Sequence, residues 1–162
     1  MDLVKHKVFS KLKYKQNRRF FKSLTKVKSS FLDSSIHSLH DKVFEDTNCL
    51  ACANCCKTTS PVFTDKDIVR VAKYLRLKPS QFFDKYLKID EDKDYILKSL
   101  PCMFLLEDNS CSIYKVRPKA CREFPHTNRR KQVQLLKLTE KNVEVCPAVF
   151  EIIEKLKKEL VK

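Results

Sequence analysis

None of the 162 residues of this chain is a glycine. Average usage near 7% would place about 11 glycines in a chain of this length. Glycine-rich phosphate loops depend on this residue, because it supplies positive φ angles and lets a phosphate approach the backbone closely. The sequence therefore excludes nucleotide hydrolysis by a P-loop and dinucleotide binding by a Rossmann turn.

The length predicts one domain with an appendage. The N-terminal sequence has lysines throughout and lacks the apolar segment of a secretion signal. No stretch approaches the ~20 apolar residues of a transmembrane helix. We therefore expect a cytoplasmic protein whose eight cysteines stay reduced, so that metal ligation explains them better than a disulfide scaffold does.

The N-terminal segment is strongly basic, since residues 1–31 hold ten lysine or arginine residues and one acid. Two interpretations are open. The preferred one is a helix that packs its apolar stripe on the core and leaves its lysines in water. The other is an arm that docks on nucleic acid or another anionic surface, such as a membrane. The apolar residues that recur there with helical spacing are Val4, Val8, Leu12, Phe20, Leu24, Val27 and Phe31.

The pattern as a whole predicts an α+β fold, a mostly helical small domain with a short β-hairpin, stapled by a cysteine-ligated metal centre. Residues 1–47 are expected to form basic amphipathic helices, and residues 48–162 a cysteine-cluster metal-binding domain. Thr64 and Asp67 resemble a capping box at the start of one helix. Asp108 and Asn109 are expected to replace glycine in the hairpin turn. Helices are predicted over 31–46, 60–77, 78–87, 119–124 and 148–160, and short strands over 95–100, 103–106 and 112–114.

Four of the eight cysteines are compressed into a C-x-x-C-x-x-C-C block. Two successive C-x-x-C steps let neighbouring sulfurs converge on one metal ion or one cluster. The block consists of Cys49, Cys52, Cys55 and Cys56, and the dispersed cysteines are Cys102, Cys111, Cys121 and Cys146.

The identity of the metal follows less directly from the cysteines. Three close cysteines and a distant Cys-Pro are typical of the ferredoxin ligand run, which favours a 4Fe-4S iron–sulfur cluster. Cys146 precedes Pro147 and is a candidate for the distant ligand, with Cys121 as its competitor. Eight cysteines also divide evenly into two Cys₄ zinc sites, so zinc remains the alternative.

Local geometry limits which cysteines can share a site. Adjacent side chains diverge by about 100° on a helix, so Cys55 and Cys56 are expected to serve different sites, or one of them none. In a regular hairpin Cys102 and Cys111 would lie roughly 13 Å apart. Either the segment around Cys102 leaves the ladder, or these two cysteines belong to separate centres.

The blocks CLACANCC and PCMFLLEDNSCSIYKVRPKACREFPH, with the helix TDKDIVRVAKYL, the segment FFDKYL and the late Cys-Pro, resemble the YkgJ-like cysteine-cluster family. This is the zinc- or iron-chelating domain with a CxxCxxCC signature. The resemblance covers the chain from about Cys49 to the final helix. It implies a candidate metal-ligand set of Cys49, Cys52, Cys55, Cys56, Cys102, Cys111, Cys121 and Cys146.

One branch of this family resembles flagellin lysine methylases, for which an iron–sulfur-assisted methyl transfer has been proposed. The present chain is short and shows no S-adenosylmethionine loop, so we favour a non-catalytic role. The preferred function is metal binding, by an iron–sulfur cluster or zinc, for electron transfer or for assisting a partner enzyme. The alternatives are a zinc-stabilised nucleic-acid-binding module that uses the basic arm, and lysine methyl transfer.

Three side chains near the cysteines are further candidates. Arg117 and Arg122 could donate hydrogen bonds to thiolate sulfurs, or could form salt bridges with acids such as Glu123 or Asp108. His126 is the one non-cysteine ligand candidate, by analogy with mixed Cys/His sites.

Overall fold

The computed structural model describes residues 2–160, and the described chain divides into two compact units. The first unit contains the residues up to Asn48 together with those from Pro125 onward, and the second is Cys49–Phe124. The fold is mostly helical with one two-stranded antiparallel hairpin, which confirms that part of the α+β prediction. No helix within the described residues has the length and apolar character needed to cross a bilayer.

The elements follow one another along the chain, and a 3₁₀ turn covers Tyr114–Val116. The helices are α1 (Leu3–Leu12), α2 (Tyr14–Leu24), α3 (Ser29–Glu45), α4 (Cys49–Cys52), α5 (Asn54–Thr58), α6 (Asp65–Tyr74), α7 (Pro79–Tyr86), α8 (Lys119–Glu123), α9 (Gln132–Val145) and α10 (Pro147–Leu160). The strands are β1 (Leu87–Ile89) and β2 (Tyr95–Leu97).

The first unit is a helical bundle in which α3 and α9 pack against α10, and α1 and α2 pack against α9. The apolar stripe of α3 lies in its core, as its helical spacing predicts. That stripe is Leu32, Ile36, Leu39 and Val43. Facing side chains of α10, such as Ile152 and Leu156, are completely buried and complete this core.

Helix α1 is oriented opposite to the preferred sequence interpretation. Val4 and Leu12 are 71% and 74% exposed, whereas His6 and Ser10 face the core. The reason is specific bonding by His6. Its Nε2 hydrogen-bonds the carbonyl oxygen of Val143 at 2.8 Å, and its ring lies edge-on to Phe150 with 5.6 Å between centroids.

The second unit has a separate core, built by α6, α7, the hairpin and the segment after it. Thr64 and Asp67 form a capping box at the start of α6, as predicted. Phe82 is fully buried and packs against the rings of Phe63 and Phe104, at centroid distances of 5.9 and 6.3 Å. Cys102 and Cys111 pack against the core that contains this aromatic cluster.

The regular hairpin lies earlier in the chain than predicted. Strands β1 and β2 pair with Leu87 opposite Leu97. Where strands 103–106 and 112–114 were predicted, the structure instead has an isolated antiparallel bridge between Leu105 and Cys111. A turn in which the amide of Leu105 donates to the carbonyl of Cys102 at 3.0 Å takes Cys102 out of the paired region.

Without glycine, left-handed backbone positions fall on other residues. Asn109 has φ 64° in the turn, as expected, but in the cysteine block the left-handed residue is Ala53, with φ 46°. The next residue, Asn54, begins α5. A side chain in this conformation costs roughly 1 kcal/mol or more, so the surrounding contacts must hold the turn. The full set is Ala53, Arg76, Lys93, Asn109, His126 and Lys131.

Candidate metal centre

The C-x-x-C-x-x-C-C block forms the two short helices α4 and α5, which meet at Ala53. The amide of Ala53 donates to the carbonyl of Cys49 at 2.8 Å and so closes the first turn. The left-handed φ of Ala53 then redirects the chain into the second turn. In this block Cys49 is exposed and the other three cysteines are partly buried, and none of the four forms a disulfide.

The adjacent residues Cys55 and Cys56 place their sulfurs 4.0 Å apart, within hydrogen-bonding distance. Their side chains therefore diverge less than ideal helix geometry predicts. The hydrogen bond from the Cys55 thiol lowers the pKa of Cys56 to about 7, against the opposing effect of burial, and the charge of Lys57 adds to this lowering. This lowered pKa prepares Cys56 to ionise near neutral pH.

The second cysteine segment is tied to the block through its backbone. The amide of Cys102 donates to the carbonyl of Cys56 at 2.8 Å. Since the turn at Cys102–Leu105 replaces a ladder, the first of the two sequence alternatives holds: this segment leaves the hairpin. The expected separation of Cys102 and Cys111 along a regular hairpin therefore does not apply.

Four thiols interact with one another pairwise. Burial raises the pKa of Cys102, Cys111 and Cys121, and that of Cys121 reaches about 12. The negative charge of Cys56 raises the pKa of each further. Cys111 acts in the same way on Cys102, and both act on Cys121. Because such interactions weaken with distance, all six pairs lie in one neighbourhood. We call Cys56, Cys102, Cys111 and Cys121 the thiol quartet.

The remaining cysteines fall in both units. Burial raises the pKa of Cys49, and the charges of Cys52 and Cys56 contribute further, so the start of the block adjoins the quartet. Cys146 belongs to the first unit, where it ends α9 and packs partly buried against the helical core. His126 also belongs to the first unit, where its carbonyl accepts from Gln132 Nε2 at 2.9 Å.

The two arginines make backbone contacts that the sequence analysis did not predict. Arg117 stacks over the Tyr114 ring, 3.8 Å from its centroid, and donates to the Tyr114 carbonyl at 2.8 Å. Its charge partly offsets the raising effect of burial on the pKa of Cys111 and Cys121. Arg122 donates to the carbonyl of Arg117 at 2.7 Å, and Glu123 pairs with Lys119.

Sequence reasoning missed how Asp67 and Arg70 position the segment before Cys121. The buried carboxylate of Asp67 accepts from the amide of Lys119 at 3.1 Å as well as from Thr64. Arg70 pairs with Asp67 and donates to the carbonyl of Arg117 at 3.0 Å. The capping-box pattern identified Asp67 but gave no indication of this second, long-range contact.

The side chains as placed do not meet at a single point. Among residues 2–160, no three histidine, cysteine or acidic side chains converge closely enough to hold a metal ion. The chemistry of the donors nevertheless fits a thiophilic metal, because the second unit gathers seven cysteines and four of them interact pairwise. Thiolate donors select zinc, copper(I) and iron–sulfur clusters over hard cations.

Residues 48–147 match a family model described as "CxxCxxCC: Putative zinc- or iron-chelating domain". The chain belongs to this family. The match confirms the resemblance expected from the cysteine block and the later Cys-Pro. The description of the family model supports metal binding by the CxxCxxCC domain in general. It does not distinguish zinc from iron.

One curated relative of the CxxCxxCC domain is an uncharacterized protein of Methanocaldococcus jannaschii. It is 34% identical over 83 residues, which cover 49% of this chain and 44% of the relative. The chain therefore spans less than half of that relative's length. No solved structure matches the chain.

Proposed function

We propose that the CxxCxxCC domain of this protein binds a metal centre through the thiol quartet. Two observations support the proposal: the amide of Cys102 donates to the carbonyl of Cys56 at 2.8 Å, and the charges of the four quartet thiols shift one another's pKa values. Four thiolates are the ligand number of both Cys₄ zinc sites and cubane clusters. The family description supports chelation of one of these two metals.

The finer proposal is that the centre is an iron–sulfur cluster. A single tetrahedral zinc ion needs sulfurs about 3.8 Å from one another. The cysteine sulfurs that hold a cubane cluster are spaced more widely, because each of them binds a different iron atom. The two successive C-x-x-C steps of the cysteine block are typical of ferredoxin ligand runs, and this spacing supports a cluster. When bound, such a cluster supplies one-electron transfer.

The chain's own residues would hold and tune this centre. The thiols would turn toward a common point and lose their protons, since thiolates are the metal ligands. Cys102 and Cys111 pack against the second core, which shields one side of the quartet from water. The positive charge of Arg117 acts on Cys111 and Cys121 and would offset part of the negative charge of four thiolates.

X-ray absorption at the iron and zinc edges of anaerobically purified protein tests the proposal. We expect a first shell of sulfur at about 2.3 Å, with an iron–iron contribution that identifies a cluster. A zinc edge with the same sulfur shell would overturn the cluster but keep the quartet. A first shell of nitrogen and oxygen alone would overturn both.

Variants locate the ligands. Cys56→Ser is expected to remove the sulfur-bound metal, and Cys146→Ser tests whether the cysteine of the first unit contributes a ligand. Cys146 is a matched comparison, because it is also a partly buried cysteine outside any disulfide. Equal metal loss in the two variants would contradict the assignment to the quartet.

A further inference from the structure

Helix α1 carries an apolar stripe that the fold leaves uncovered. Val4, Val8 and Leu12 repeat every four residues along one face and are 71%, 51% and 74% exposed. The opposite face of the same helix is polar and buried, with His6 and Ser10 inward. An amphipathic helix that buries its polar side and exposes its aliphatic side presents an interaction surface.

The orientation of α1 is fixed by contacts on its buried face. His6 hydrogen-bonds the carbonyl of Val143 at 2.8 Å. Lys13, directly after the helix, pairs with Glu154 of α10. Asp2 caps the N-terminus by accepting from the amide of Val4 at 2.7 Å. Rotation of the stripe into the core would break the first two of these contacts.

Lysines flank the stripe on both sides. At 100° per residue, Lys5 and Lys11 lie about 60° to either side of Val8, and both are exposed. Lys7 lies beyond Lys11 on the same side of the helix, and it is exposed as well. Residues 3–32 contain no acidic residue, so every charged side chain that α1 itself carries beside the stripe is cationic or histidine.

We propose that α1 docks on an anionic lipid bilayer surface, with Val4, Val8 and Leu12 entering the headgroup boundary and the flanking lysines binding lipid headgroups. A partner of this helix must offer an apolar region for the stripe and, a few ångströms away, negative charges for the lysines. A bilayer of acidic lipids offers both. Lysine side chains are long enough to reach the headgroups while the stripe is immersed. A nucleic acid would satisfy the lysines but offers no counterpart to an aliphatic stripe.

Vesicle flotation of the full-length protein tests the proposal. We expect binding to phosphatidylcholine vesicles that contain roughly 30% phosphatidylserine, and no binding to phosphatidylcholine alone. Replacing the stripe through Val4→Ser, Val8→Ser and Leu12→Ser together is expected to weaken binding by about tenfold or more, although every lysine remains. The substituted side chains are exposed, and an unchanged thermal unfolding midpoint verifies that the variant folds.

A fluorescence measurement gives an independent readout, because the chain contains no tryptophan. Leu12→Trp introduces one reporter on the stripe, and its emission is expected to shift to shorter wavelength when anionic vesicles are added. Val69→Trp, at an exposed position of α6, is the control and is expected to stay unchanged.

Three results would overturn the proposal. The first is vesicle binding that the serine variant retains in full, which would make the interaction purely electrostatic. The second is binding to polynucleotides without binding to vesicles. The third is a stripe-dependent dimer that does not bind vesicles, which would assign the stripe to a second copy of the chain.

Discussion

The backbone amide of Cys102 donates a hydrogen bond to the carbonyl oxygen of Cys56, with 2.8 Å between nitrogen and oxygen. This contact joins the cysteine block to the segment that carries Cys102 and Cys111. Both segments consist of short helices, turns and an isolated bridge, with little regular hydrogen bonding of their own. A metal centre on the quartet would link them a second time, through side chains.

Removing the metal is therefore expected to loosen residues 49–57 and 101–125 before the rest of the chain. Hydrogen exchange, with and without chelator, measures this. Amides of α3 and α10 serve as the internal reference, because they pack in the separate core of the first unit. Unchanged exchange in the two cysteine segments of the apo protein would contradict a structural role for the metal.

Metal binding is expected to release protons and to strengthen as pH rises. The raised pKa values of Cys102, Cys111 and Cys121 keep these thiols protonated at neutral pH, so an incoming metal must displace their protons. Zinc titrations between pH 6 and pH 8 should show about three protons displaced per metal, that is, roughly a thousandfold increase in apparent affinity per pH unit. Affinity that does not depend on pH would exclude thiol ligands.

Asp67→Asn is expected to destabilise the second unit by about 2 kcal/mol, because the buried carboxylate accepts hydrogen bonds from Thr64, Arg70 and Lys119. Chemical denaturation measures the free energy of unfolding. Asp65→Asn is the matched control, since Asp65 lies in the same helical turn but is exposed. A loss of equal size in the control would show that charge at the helix terminus alone is responsible.

The same carboxylate makes stability depend on pH in a defined direction. Burial alone would raise the pKa of Asp67, but the hydrogen bonds from Thr64, Arg70 and Lys119 outweigh it and hold the pKa below 3.8. A depressed pKa in the folded state stabilises the protein fully above the unfolded value of about 3.9. This contribution is lost as pH falls through the folded pKa, so the difference between wild type and Asp67→Asn should shrink in acid.

Thr139→Val is expected to stabilise the first unit by about 1 kcal/mol. Thr139 is completely buried in α9, and within the described residues its hydroxyl oxygen has no hydrogen-bond partner, so an isosteric apolar side chain removes a desolvation cost. Thr47→Val is the control and should destabilise, because the Thr47 hydroxyl donates to the carbonyl of Val43 at 2.6 Å. Thermal unfolding compares the two variants, and a destabilised Thr139→Val would point to an ordered water at that hydroxyl.

Helical periodicity predicted elements well where apolar residues face inward. The stripe of α3 begins with Leu32 and is buried as expected. Helix α9 was not predicted, because its inward positions include the polar residues Gln132, Thr139 and Asn142. The predicted orientation of α1 was wrong for a related reason, since the buried side of the helix presents the polar residues His6 and Ser10. Polar groups satisfied by long-range contacts leave no periodic signal in the sequence.

The candidate site was predictable in its residues but not in its grouping. Spacing and family resemblance identified every cysteine as a candidate ligand. The association of Cys56 with Cys102 depends on a turn that replaces the expected ladder. The position of the segment before Cys121 depends on the contact of Asp67 with Lys119, two residues far apart in the sequence. Neither relationship follows from local propensity.

Quantifying metal and acid-labile sulfide in anaerobically purified, folded protein tests the central claim most directly. The account predicts about four iron atoms and four sulfides per chain, lost together in Cys56→Ser. A well-folded protein that contains neither iron, sulfide nor zinc, and takes up none on reconstitution, would contradict it.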